Sequence, residues 1–161
     1  MDQEIIYTQL DRKAISLWRL QGLVRLGLLG TPAAVLCAIF LGSMSHWSLG
    51  IAAAACLFLF GLGRSLLWPP LSWKAYGYSI REHEILIKSG VLFRRWTSIP
   101  FHRVQHLDTR QGPIERLLGL ARLQIYTASG LSADGSIPGL AQSTAEALRD
   151  SLSRRGGDDG V

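Results

Sequence analysis

At 161 residues the chain has room for one ordinary domain plus something small, and a composition of 48% hydrophobic against 18% charged leans apolar for that length. A net charge of +5, spread along the whole chain, is too weak to argue for nucleic acid, so no nucleic-acid partner is expected. The two cysteines, Cys37 and Cys56, lie inside the apolar part, which leaves the rest cysteine-free and suited to a reducing compartment.

The apolar excess is local. Residues Leu26 to Gly63 contain no Asp, Glu, Lys or Arg, whereas Trp73 to Val161 hold twelve basic and nine acidic residues. Ahead of the charge-free run, LDRKAISLWRLQGLVRL reads as a juxtamembrane helix within residues 1–25, capped by Asp11 and lying partly in the membrane interface with Arg19 and Arg25 reaching outward. As one helix the 38-residue run would measure about 57 Å, nearly twice a hydrocarbon core, so it predicts two crossings. The break belongs at GSMSHWSLG, which gives spans at about 26–44 and 48–68, the second stopped by Pro69 and Pro70. A cleaved signal peptide fits poorly, because the run starts late and continues into a second span.

Trp18, Trp47, Trp68 and Trp73 are placed to act as membrane-interface anchors. Arg12, Lys13, Arg19 and Arg25 precede the first span, Arg64 and Lys74 follow the second, and the tip at 45–48 carries no basic residue other than His46. The expectation is a multi-pass membrane protein with both termini cytoplasmic. Cys37 and Cys56 fall at similar depth, as small packing residues near a seam in which Gly50 and Ala54 face Ala34 and Ala38.

After Pro70 the hydrophobic period changes to two. Strands are expected around Tyr76–Ile80 and Ile85–Ile87, then beyond a turn at Ser89-Gly90 in VLFRRWTSI, from Arg103 in RVQHLDT, in ARLQIYTA, and around Ser136–Leu140. GPIERLLG supplies a helical turn, with Arg116 expected to hold carbonyls at its end. Ser143 and Glu146 have capping-box spacing before a stripe of Ala141, Ala145, Leu148 and Leu152, and the tail at 155–161 reads as disordered.

The order of Gly90-Val91, Ile99-Pro100, Arg103-Val-Gln105, Gln111-Gly-Pro-Ile-Glu-Arg116, Leu118-Gly-Leu120, Leu123 to Ala128 and Gly139-Leu140 resembles the membrane-flanked bacterial pleckstrin-homology-like family. Two spans followed by one domain are similar to its small YdbS-type members. The resemblance implies an α+β chain: a two-helix transmembrane hairpin, then a seven-stranded pleckstrin-homology-like β-sandwich or barrel at 73–154 with a C-terminal helix. It also implies a setting in the bacterial inner (cytoplasmic) membrane and a larger membrane partner carrying several related domains, or self-association, and it carries no catalytic residue.

Chemistry-bearing residues are few. His102 and His106, on an extended segment, stand about 13 Å apart and cannot share a metal. His83 between Glu82 and Glu84 sits in a hairpin turn, and no nucleophile elbow or phosphate loop is present. No catalytic, cofactor or metal site is therefore expected. The suggestive surface is KSGVLFRRWTSIPFHR, where Lys88, Arg94, Arg95 and Arg103 occur with no acid from Ile85 to Leu107 and could meet anionic headgroups of the lipid bilayer. The sequence predicts a non-catalytic, membrane-anchored binding or scaffolding module, with an accessory subunit of a transport or export assembly as the alternative.

Overall fold

The computed structural model describes residues 6–44, 46–128 and 133–158, with the side chains of 44 and 156–158 left aside. The proposed tip at Ser45 falls outside them, as do 159–161. In chain order the elements are α1 (Lys13–Arg25), a π-turn (Leu26–Gly30), α2 (Thr31–Met44), α3 (Trp47–Ala75), β1 (Gly77–Ile80), β2 (Glu84–Ser89), β3 (Arg95–Pro100), a 3-10 turn (Phe101–Arg103), β4 (Val104–Arg110), α4 (Pro113–Leu117), β5 (Leu120–Thr127), β6 (Gly135–Ala141) and α5 (Gln142–Asp158). They form two compact units, one from Trp18 to Pro70 and one combining the chain up to Leu17 with the chain from Leu71 onward.

Asp11 starts α1 as expected, its carboxylate accepting the Lys13 N–H at 2.8 Å. The helix then does not end before the charge-free run. At Leu26–Gly30 the Thr31 N–H reaches back to the Leu26 carbonyl, one residue further than an α-helix allows, and the Thr31 hydroxyl takes the Gly27 carbonyl at 2.5 Å. One helical path from Lys13 to Ser43 thus replaces a separate interface helix and a short span.

A second correction concerns Pro69 and Pro70, which do not stop α3; the helix runs on to Ala75. A proline at 70 cannot donate to the carbonyl of residue 66. Arg19 Nε donates to that Leu66 oxygen instead, at 3.3 Å, so the carbonyl is not orphaned.

Within the helical unit the seam is built from small residues. Gly50 sits so close to α2 that a Cβ there would come within 2.5 Å of the Ala38 carbonyl oxygen and 2.9 Å of the Gly42 nitrogen. Gly22 faces Ser65, and Leu26 reaches into the gap beside Gly61. Ala34 and Gly50 are buried, Cys37 is half-buried, and Cys56 is exposed, so Cys56 points away from the seam on which it was expected.

The other unit carries two antiparallel three-stranded sheets, β1-β2-β3 and β4-β5-β6. Alternation selects its core: Ile85 and Ile87 of β2, Ile99 of β3, Leu123 and Ile125 of β5 and Ile137 of β6 point inward, each fully buried side chain contributing about 1.5–3 kcal/mol. The sheets meet at Gly135, where a side chain would collide with Ile99 at 2.5 Å and Ile87 at 3.0 Å. Six strands are present among the described residues, against the seven that the resemblance implied. Thr8 adds one antiparallel bridge to Tyr78 on the free edge of β1.

Residues before α1 and in its first turns belong to this core. Leu10, Ala14 and Leu17 are buried, and Ala14 packs on Gly139. There β6 bulges between its pairings with Ala121 and Leu123; Gly139 takes φ of +64°, and its carbonyl accepts the Asp11 N–H at 3.2 Å.

The C-terminal helix begins two residues earlier than the Ser143–Glu146 spacing suggests. The Gln142 N–H is satisfied by the Gly119 carbonyl at 3.1 Å, and the Glu146 carboxylate binds the Gln142 side-chain amide at 3.0 Å, so the expected capping box does not form. Ala145, Leu148 and Leu152 bury the predicted stripe against the sheet of β4 to β6 and the 3-10 turn. The helix also continues to Asp158, through the start of the stretch read as a disordered tail.

Candidate functional site

The basic stretch singled out in the sequence folds as the β2–β3 hairpin. Lys88 pairs with Trp96 and Ser89 with Arg95, so Lys88 and Trp96 share one face while Arg95 lies on the opposite face. Arg94 sits in the connecting turn, and both arginines are exposed. Lys88 Nζ lies 5.6 Å from the ring centre of Tyr7, which covers the adjacent Gly77. Arg103 is not part of this group: it sits in the 3-10 turn beyond the far end of β3, a strand that carries the chain roughly 17 Å from Arg95 to Pro100.

The four tryptophans expected as interface anchors occupy distinct settings. Trp47 opens α3, exposed at one edge and laid against Gly42 at the other. Trp68 is half-buried, with the Arg64 guanidinium 5.4 Å from its ring. Trp18 is half-buried in α1. Trp73 spends its polar end inside the β-unit, where Nε1 donates to the carbonyls of Leu10 at 3.0 Å and Asp11 at 3.2 Å.

The histidines separate. His106 stacks on Tyr126 at 4.3 Å between ring centres, whereas His102, in the 3-10 turn rather than on an extended strand, shares a shallow groove with Arg81, Glu82, His83, Glu84 and Pro100. Glu84 is already engaged there by the Ser98 hydroxyl and by Arg81 at 3.5 Å. Among the described residues no three His, Cys, Asp or Glu side chains converge as a metal site would require.

The sequence reading missed a buried charge. Glu115, on α4, accepts the Gly112 N–H at 2.6 Å and the Arg122 guanidinium at 3.1 Å. Arg116, to which a structural role was assigned, is exposed and makes no side-chain hydrogen bond among the described residues. Gln111 completes the clasp through the Leu120 carbonyl at 2.8 Å. The GPIE run therefore holds the β4–β5 connection together: Pro113 begins the short helix and the carboxylate two residues later turns back onto its first donor. That spacing was the available signal. Nearby, the Tyr76 hydroxyl donates to the Ser136 carbonyl; burial pushes its pKa up to about 12, partly offset by Arg122.

Gln111, Gly112, Pro113, Glu115 and Leu120 are thus structural, and they are part of the ordered pattern that carried the family resemblance. Comparison with known proteins bears this resemblance out, since residues 23–156 match the family described as Bacterial PH domain. The chain belongs to the bacterial PH domain family. It is 35% identical over 149 residues to the UPF0699 transmembrane protein YdbS of Bacillus subtilis, covering 91% of this chain and 90% of that one. It is 24% identical over 107 residues to the UPF0699 transmembrane protein YdbT of the same organism, covering 66% of this chain but only 21% of the relative. No solved structure matches it. This bacterial PH domain protein, with two apolar helices of which only 6% of the most apolar stretch is covered by the rest of the chain, is a membrane-associated PH-like module.

Proposed function

We propose that the protein is a non-catalytic module anchored by two transmembrane helices, with its PH-like domain and both termini cytoplasmic, that binds or scaffolds a larger membrane protein of the same family. The uncovered apolar surface of α2 and α3 carries the reading. Leu36, Phe40, Leu59, Phe60 and Leu67 are all exposed, and in water such a surface would drive aggregation, whereas lipid covers it without cost. Basic residues on both sides of the pair, and none at the Met44–Trp47 turn apart from His46, favour a cytoplasmic domain. The partner class is supported by the similarity to YdbT, of which this chain matches only a fifth.

Sidedness tests the reading. With Cys37 and Cys56 changed to alanine, a single cysteine in place of His46 should react with an impermeant maleimide in intact cells. One in place of the exposed Glu82 should react only after permeabilisation. Reaction of both from the same side would overturn the topology.

A further inference from the structure

The β2–β3 hairpin ends in a turn that exposes apolar side chains at its apex. Gly90 has φ of +97°, and a Cβ there would overlap the Phe93 carbonyl oxygen at 1.9 Å, so the tight return requires glycine. The return throws the intervening side chains outward: Leu92 is 75% exposed and Phe93 90%. Trp96, first on the flank behind them, is 61% exposed. Arg94 and Arg95 follow the apex directly, and Lys88 faces Trp96 across the ladder. The nearest carboxylate along either strand is Glu84, at the far end of β2 and roughly 17 Å from Ser89, where Ser98 and Arg81 already engage it. The tip is therefore apolar at its point, aromatic on its flank and cationic around its base, with the one carboxylate of the two strands, Glu84, at the opposite end of the hairpin.

We propose that this hairpin is a membrane wedge: Leu92 and Phe93 insert into an anionic bilayer surface, Trp96 lies at headgroup depth, and Lys88, Arg94 and Arg95 pair with lipid phosphates. The charge pattern selects this occupant over a protein partner, because an anionic lipid surface offers negative charge above hydrocarbon in the order the tip presents its complements. The turn of five residues beyond the Ser89–Arg95 pair suits the depth of about 5–10 Å that interfacial apolar groups reach. Along the chain only Tyr76 separates α3 from β1. Arg103 stands apart from the wedge, and replacing it should leave insertion unchanged.

The inference rests on the anchored reading above, and the test separates the two. The full chain, with Cys37 and Cys56 changed to alanine and Leu92→Cys carrying an environment-sensitive fluorophore, is assembled into nanodiscs of phosphatidylcholine with or without phosphatidylglycerol. Insertion predicts a blue-shifted emission, quenched by lipid-borne quenchers, only in the anionic discs. Raising salt from about 0.1 M to about 1 M, which shortens the screening length from about 10 Å to about 3 Å, should reverse it. In the double variant Arg94→Gln/Arg95→Gln the inserted-to-free ratio should fall about thirtyfold, as expected from two lost headgroup attractions. Stable incorporation with a probe that stays in water in both lipids would overturn the wedge alone; failure to enter the discs would overturn the anchored reading and the wedge with it. An equal response from a probe at Glu82→Cys, or a signal that depends on protein-to-lipid ratio, would also overturn the wedge, the latter assigning the tip to self-association.

Discussion

Tyr76 stands between the last residue of α3 and the first of β1, half-buried, with its hydroxyl held by the Ser136 carbonyl. Because burial disfavours the phenolate, its pKa in the folded protein is raised from 10.0 to about 12. The stability linked to it is complete below pH 10 and is lost as the pH rises towards about 12, since the unfolded chain releases the proton first. Its full extent is about 2–3 kcal/mol. Denaturant unfolding in detergent should therefore show a decline above pH 10 that is shallower in Tyr76→Phe, which at neutral pH loses about 1 kcal/mol with the hydrogen bond. Burial also raises Tyr78, so some decline persists in the variant. An unchanged slope would mean that the Tyr76 phenol titrates as it does in water.

At the scale of elements, the packing of α2 and α3 depends on how little Gly50 occupies. Apolar side chains gain nothing by leaving lipid for one another, so helix pairs in a bilayer hold by close backbone approach. Gly50→Ala must push the Ala38 carbonyl away and should cost about 1–3 kcal/mol, read as a lower thermal midpoint in detergent. Cys37→Ala with Cys56→Ala should leave the midpoint nearly unchanged, because Cys56 is exposed and Cys37 only half-buried. Equal losses from the two variants would place the cysteines in the seam after all. Glycine at 50 and alanine at 34 and 38 could be read from spacing. The side of α3 on which Cys56 points could not, because equal depth along two helices leaves their rotation open.

The whole molecule interleaves its ends. Residues before Trp18 lie in the same compact unit as the chain from Leu71 onward, with Leu10, Ala14 and Leu17 buried and Trp73 tied to the carbonyls of Leu10 and Asp11. A fragment beginning at Trp73 should therefore fail to fold stably, although the strand pattern starts there. Leu10→Ala and Leu17→Ala should each cost about 2–5 kcal/mol in the full chain. Circular dichroism of the fragment beside the intact protein checks the first expectation; cooperative unfolding of the fragment would show that the N-terminal residues only decorate the fold.

The sequence by itself determined the two apolar helices, the six strands read from alternation and the C-terminal helix, in their order. A charge-free run of 38 residues interrupted at GSMSHWSLG marks two apolar helices, and period-two alternation in EILIKS and LARLQIYT marks one face of each strand for burial. These are properties of neighbours along the chain. It left undecided whatever depends on a contact distant in sequence. Pro69 and Pro70 read as a stop, but Arg19 supplies the donor that lets α3 continue; Ser143 reads as a cap, but Gly119 has already taken the Gln142 N–H. Lys88, Arg94, Arg95 and Arg103 read as one basic group, and the hairpin register keeps the first three near the tip while carrying Arg103 to the other end of β3. Only the tertiary structure decided these points, because a lone carbonyl, an unpaired N–H or an exposed cation takes its meaning from the partner that folding brings to it.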